Sequence, residues 1–277
     1  MSAVTQPVAA AEPGSEAFNP GELIAHHISD SRTLELPFVG EIRLPTLHPF
    51  GYELPITKYV VMMWVASAIL LIVACLAARR RSLLPRGVHN VMEAMVVFVR
   101  DELARKNIGH DGDRYVSYLL STFAFILTCN LLGLIPYAST ATGSISVTAS
   151  LAIMAFLMIQ FGGMREHGVL GHFKNLVPHG MPLWLLPIMI PVEFIGIFTK
   201  PFALCIRLFA NMTAGHVAIL SFFSIVFILK MAWVGAVLSV PMALFISGIE
   251  LLVAFLQAYI FTMLTSLFIG MSVHPQH

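Results

Sequence analysis

Charge is what this chain lacks. Of its 277 residues, 11% are Asp, Glu, Lys or Arg, whereas soluble domains carry about 25%. With 57% hydrophobic residues and a mean hydropathy of +0.83, this scarcity excludes an ordinary soluble fold and a basic nucleic-acid surface. Cysteine is also sparse. Cys75, Cys129 and Cys205 are odd in number, lie in apolar stretches and fit no metal spacing. Reduced, buried thiols are expected, with no metal and no cofactor. No Gly-x-x-x-x-Gly-Lys-Ser/Thr loop occurs, so nucleotide chemistry on this chain is not expected. There is no internal repeat and no low-complexity tract beyond an Ala-rich start. Met1–Ser15 lacks the apolar core of a cleaved signal peptide, so the first span is expected to direct insertion.

What the chain has instead is long apolar runs. They predict an all-α membrane protein with five transmembrane helices, an amphipathic helix on the cytoplasmic side and a long, tilted helical hairpin at the end. Residues 1–54 are polar and Pro-punctuated, with a short helix expected at Pro20–Ser31, and residues 55–277 form the polytopic membrane domain. The first span, about Lys58–Ala78, ends in Arg79-Arg80-Arg81. By the positive-inside rule that end is cytoplasmic, so the N-terminus is expected outside and the C-terminus inside. Val88–Asn107 alternates apolar and charged residues as an interfacial helix does. Tyr115–Pro136 is the second span, and a Ser/Thr/Gly loop without Lys or Arg follows it. Ser146–Phe161 returns, and Arg165, His167, His172 and Lys174 mark a cytoplasmic loop. From about 183 to 271 the chain is nearly continuously apolar, with the best break between Lys230 and Gly235. Both halves exceed the ~20 residues of an upright span, so tilt or bending is expected. Pro187, Pro191, Pro201 and Pro241 are places to bend.

Arg207 is the residue this hairpin must explain. Between Lys200 and Lys230 it alone carries a permanent charge. A cation near the centre of a spanning helix costs about 2.5–3.5 kcal/mol on insertion scales, and guanidinium cannot shed its proton. Apolar residues extend beyond a side chain's reach on both sides, which argues against snorkelling to headgroups. Four more polar groups share the hairpin: Glu193, His216, Glu250 and Gln257, with Asn211 as a weaker fifth. A bend near residue 232 places Arg207 and Gln257 at equal counts from it, and His216 and Glu250 nearly so, one level further out. At ~100° per residue Asn211 shares the Arg207 face, and His216 points the opposite way. The reading is a titratable pair outside, a fixed cation with Gln257 at mid-depth, and the carboxylate of Glu193 toward the cytoplasm. Proton relays need groups like His and Glu, and a permanent cation splits such a relay into two half-paths. Structural readings stand beside these: a packed His216, a protonated Glu250, Gln257 as interhelical glue and an interfacial Glu193. His26 and His27 read as an exposed pair, and His274 and His277 as a polar tail.

The run Lys200-Pro-Phe-Ala-Leu-Cys-Ile-Arg-Leu-Phe-Ala-Asn-Met-Thr-Ala-Gly-His216 resembles the a subunit (subunit 6) of F-type ATP synthase. Phe98-Val-Arg-Asp101, Asn130-Leu-Leu-Gly-Leu-Ile-Pro136 and Leu256-Gln-Ala-Tyr-Ile-Phe261 support the resemblance, which covers about His26 to Met271. It implies a proton-translocating stator in a bacterial inner membrane. Its implied partners are a rotating c-subunit ring, peripheral-stalk b subunits, other synthase subunits and membrane lipid, with no nucleic acid. Arg207 then matches the stator arginine, His216 and Glu250 an inlet pair, Glu193 an outlet carboxylate and Gln257 a polar partner of the arginine. The His-first order resembles the mitochondrial arrangement. Gly133 departs from the Asp of some members, and Ser144 and Ser146 from a common Asp and Asn.

Overall fold

In lipid every backbone N–H and C=O must be satisfied within the chain, so apolar runs become helices. The computed structural model describes residues 33–36, 40–43, 46–47, 54–55, 57–79, 87–135, 140–174, 186–228 and 232–274. It has five helices long and apolar enough to cross a membrane. These are α1 (Lys58–Arg79), α3 (Val116–Gly133), α4 (Ile145–Lys174), α5 (Leu186–Ile228) and α6 (Ala232–Val273). The interfacial helix, α2, spans 88–108. An α-helical stretch Val88–Phe98 passes into a π-turn at Val99–Arg105 and back to α-helix at Lys106–Ile108. The membrane domain is all-α, as expected.

Two features differ from the sequence expectations. Two small antiparallel hairpins, β1 (Thr33–Leu36) with β2 (Gly40–Arg43) and β3 (Thr46–Leu47) with β4 (Leu54–Pro55), precede α1. Two- and four-residue strands are too short for a period-two pattern to stand out. The expected helix at Pro20–Ser31 lies outside the described residues, as do His26, His27 and His277. The expected cytoplasmic loop at Arg165–Lys174 is instead helical, with a break at Gly168 (φ 69°, ψ 167°) inside α4. Glycine reaches that conformation without the Cβ penalty.

The core is built around the second half of α6. Phe261 and Ile269 of α6, Leu119, Phe123 and Ile126 of α3, Leu204 and Leu208 of α5 and Leu103 of α2 are fully buried together. Phe98 of α2 lies 6.0 Å from Phe123 and 5.9 Å from Tyr259. Helix α1 stands apart: among its described side chains only Lys58, Tyr59 and Ala66 are buried. Its apolar surface is left for lipid or for neighbouring helices.

α2 is tied to α6 by polar contacts as well. Asn107 Nδ2 donates to Ser266 Oγ at 2.7 Å. Gly270 lies so close that an added Cβ would strike the Asn107 carbonyl oxygen. On the outer side of α2, Arg105 grips Asp113 through two 2.8 Å bonds and reaches Asp101 at 3.2 Å. Bonding to Arg105 holds the Asp113 carboxyl below its usual range, and Arg100 does the same for Asp101.

Gly270→Ala is therefore expected to push α2 off α6. The cost is about 1–3 kcal/mol, read as a lower thermal midpoint in detergent. Alanine at Gly248, where a Cβ meets nothing within 4 Å, is the neutral control. The Asp113 pair has its own pH signature. A depressed folded pKa adds stability that is present above the unfolded carboxylate value and lost as pH falls through the folded one. The thermal midpoints of Asp113→Asn and the parent should differ at pH 7, and the difference should begin to shrink only below about pH 4, the ordinary Asp range, as pH falls toward the depressed folded value.

Candidate functional site

The long hairpin leaves much of its apolar surface uncovered. Phe198, Phe202 and Ile206 on α5 and Leu252, Phe255 and Leu256 on α6 are all exposed. Arg207 is exposed on this surface too. Among the described residues it forms no ion pair and no hydrogen bond. The side chain thus presents an unneutralised cation on an apolar face. Its neutralising group is not among the described residues, and desolvating guanidinium alone is costly.

Two cavities lie on either side of that level. The smaller, about 340 Å³, is nearer the hairpin bend and is lined by His216, Glu250, Asn211, Asn130, Gly133 and Thr140, among others. The larger, about 730 Å³, lies toward the other end and is lined by Glu193, Lys200, Gln160, His172, Lys106 and His274, among others. On α5 the larger lining ends at Lys200 and the smaller resumes at Asn211. On α6 the smaller ends at Ala254 and the larger resumes at Leu267. Arg207 and Gln257 line neither and occupy the interval between them.

In the smaller cavity, His216 and Glu250 share one space, as the residue count from the bend predicts. Glycine at 215 lets the Glu250 carboxyl lie against α5, because an added Cβ would strike its Oε1. Glu250 Oε2 is buried without a hydrogen-bond partner in the protein. His216 Nε2 bonds to Thr140 Oγ1. Thr140 sits beside the short 3-10 turn Ala141–Gly143. Thr142 Oγ1 donates to Asn130 Oδ1 at 2.6 Å, and Asn130 Nδ2 donates to the Ala254 carbonyl at 3.2 Å. The loop between α3 and α4 is thereby tied to α6. Gly133 is part of the same arrangement, since a side chain there would collide with Thr140.

Gln257 is 2% exposed and accepts from Asn211 Nδ2 at 2.8 Å. The residue count had placed it opposite Arg207. The observed partner is one helical turn closer to the bend, an offset of ~6 Å. Counting assumes straight, parallel axes, whereas α5 contains Pro191 and Pro201 and α6 contains Pro241. Gln257 Nε2 is buried with no partner in the protein. Glu193 is half-buried at the wall of the larger cavity.

The sequence reading missed Thr140, Thr142 and Asn130 as members of this site. Their signal was faint: a hydroxyl-rich loop following Asn130, at the point where Gly133 departs from a carboxylate. Among the described residues, no group of three or more His, Cys, Asp or Glu is placed to hold a metal ion.

Comparison with known proteins accords with this architecture. The family described as ATP synthase A chain matches residues 60–270. The protein named ATP synthase subunit a 2 from Chlorobaculum tepidum is 49% identical over 259 residues, covering 91% of this chain and 73% of that protein. ATP synthase subunit a from Pelodictyon phaeoclathratiforme is 48% identical over 288 residues, covering 100% of this chain and 84% of its own. One from an Anaeromyxobacter species is 48% identical, covering 93% of this chain and 71% of its own. On this match, which runs through most of the hairpin, the chain belongs to the ATP synthase A chain family.

Proposed function

We propose that this chain is the proton-translocating stator subunit of a bacterial F-type ATP synthase. Two offset half-channels carry protons to and from carboxylates on a rotating ring of c subunits, and Arg207 separates them. The carrying observation is the unpaired, outward-facing Arg207 in the interval between two separate cavities. Nucleotide chemistry belongs to other subunits of the complex. Peripheral-stalk b subunits are the natural occupants of surface left bare around α1.

The orientation rests on which charged ends meet. Arg114 at the foot of α3 bonds Glu166 of α4 at 2.7 Å, and His274 after α6 lies 3.3 Å from Asp111. These segments, with Arg100, Arg105, Lys106 and Arg165, gather Lys and Arg at one end, alongside the carboxylates that pair with them. By the positive-inside rule that end is cytoplasmic, which puts the N-terminal segment outside and the C-terminus inside. The smaller cavity then opens from the outer half, and the larger from the cytoplasmic half.

A proton arriving from outside meets His216 and Glu250. The buried, unbonded Glu250 oxygen suits proton exchange with water in the cavity, and Thr140 steadies the imidazole. The proton next neutralises a ring carboxylate, which can then enter lipid. A carboxylate returning from lipid releases its proton beside Glu193 and, now bare, is held by Arg207. Direct passage past Arg207 is opposed by its fixed charge. Buried Gln257, bonded to the exposed Asn211, lies beside it at this level. The membrane potential supplies about 2.3 kcal/mol per charge per 100 mV.

Arg207→Ala should abolish ATP-driven proton pumping in inverted membrane vesicles while the complex still assembles. Coupled pumping at the parent rate would overturn the reading. For the outer pair, exchanging His216 and Glu250 should retain more proton flux than deleting either group. Thr140→Val removes the hydroxyl that bonds His216 and should slow flux several-fold, whereas Thr140→Ser should retain most of it.

A further inference from the structure

Asn130 lies in the last turn of α3 and is 1% exposed. A primary amide buried this deeply is costly unless both its ends are bonded. Both are. Its Nδ2 donates to the Ala254 carbonyl, and its Oδ1 accepts from Thr142 Oγ1. A backbone carbonyl can only accept, so Ala254 fixes which way the amide faces and leaves the Thr142 hydroxyl as the donor. The two bonds lead to the two sides of one cavity. Ala254 is one helical turn beyond Glu250 on α6. Thr142 belongs to the 3-10 turn that Gly143 N–H closes onto the Thr140 carbonyl at 2.9 Å, and Thr140 is the residue bonded to His216. Behind that turn, Ala141 packs against Cys129 of α3 and Ala66 of α1, all three buried. Thr142 is fully buried and lines neither cavity, so whatever it does for proton transfer it does through its neighbours.

We propose that Asn130 and Thr142 are positioning residues for the outer pair. Thr142 holds the turn that sets Thr140 against His216, and Asn130 ties that turn to the stretch of α6 that carries Glu250. The described lining of the cavity has two titratable groups, His216 on α5 and Glu250 on α6; Asn130, Gly133, Leu134 and Thr140 contribute none. The amide and the hydroxyl that connect the two sides do not ionise. The placement of imidazole and carboxyl is therefore kept while either of them gains or loses a proton. The inference rests on the half-channel reading above.

The test uses the assembled synthase in inverted membrane vesicles, making ATP from an imposed proton gradient. The vesicle lumen meets the outer side and the medium the cytoplasmic side, so the pH of each is varied alone. Thr142→Val and Asn130→Leu should slow synthesis several-fold. They should also shift the midpoint of its dependence on lumenal pH and leave the midpoint on the medium side in place. Thr142→Ser, which retains the hydroxyl, should keep most of the parent rate and the parent midpoint. In a Thr140→Val background, Thr142→Val should cost little more, because the bond it positions is already gone. Parent rates in Thr142→Val and Asn130→Leu would overturn the proposal. So would a loss that leaves the lumenal midpoint unmoved or moves both midpoints alike, one that Thr142→Ser shares in full, or one that adds in full to Thr140→Val. If Asn130→Leu fails to assemble, the near-isosteric Thr142→Val decides. Arg207→Ala vesicles run in parallel separate the two readings. Normal coupling there would sink the half-channels and this inference with them. Lost coupling there, with parent behaviour in Thr142→Val, would sink this inference alone.

Discussion

A guanidinium that cannot be neutralised by proton loss stands on an apolar surface and forms no ion pair among the described residues. Most of the hairpin's design follows from this constraint. A buried counter-ion from the same chain would quench the charge and make it a structural ion pair. Here the nearest polar residues on the adjoining turns, Asn211 and Gln257, bond to each other instead. Neutral amides can pack at mid-membrane depth without titrating, and they leave the charge available to something that arrives from outside. The bare apolar surface of α5 and α6 beside it is the surface against which such a partner would move.

The two cavities differ in the chemistry of their walls. The one nearer the hairpin bend is small, with Glu250, His216 and a hydroxyl–amide chain through Thr140, Thr142 and Asn130. The one further from the bend is about twice as large and is lined by Lys106 and Lys200 as well as by Glu193, the one carboxylate among its described lining residues.

The spans were legible because lipid leaves an apolar run few alternatives to a helix. The pairing of His216 with Glu250 was legible too, since long antiparallel helices carry depth information in residue number. What escaped the sequence had other causes. The partner of Gln257 depended on tilt and bending, which shift a contact by one turn without altering composition. Thr140 belongs to a loop whose position is set by three side-chain bonds, not by periodicity. Gly168 looked like a loop residue because it is one conformationally, yet the chain on both sides is helical. The π-turn Val99–Arg105 carries no propensity signal and is recognisable only after the helix is built.

The union of α2 with the end of α6 has a mechanical meaning. Asn107 bonds Ser266, Gly270 abuts the Asn107 backbone, Phe98 meets Tyr259, and His274 reaches Asp111. If a ring turns against α6 as proposed, sideways thrust on that helix would pass through these contacts into α2, and the two helices would resist it as one braced unit.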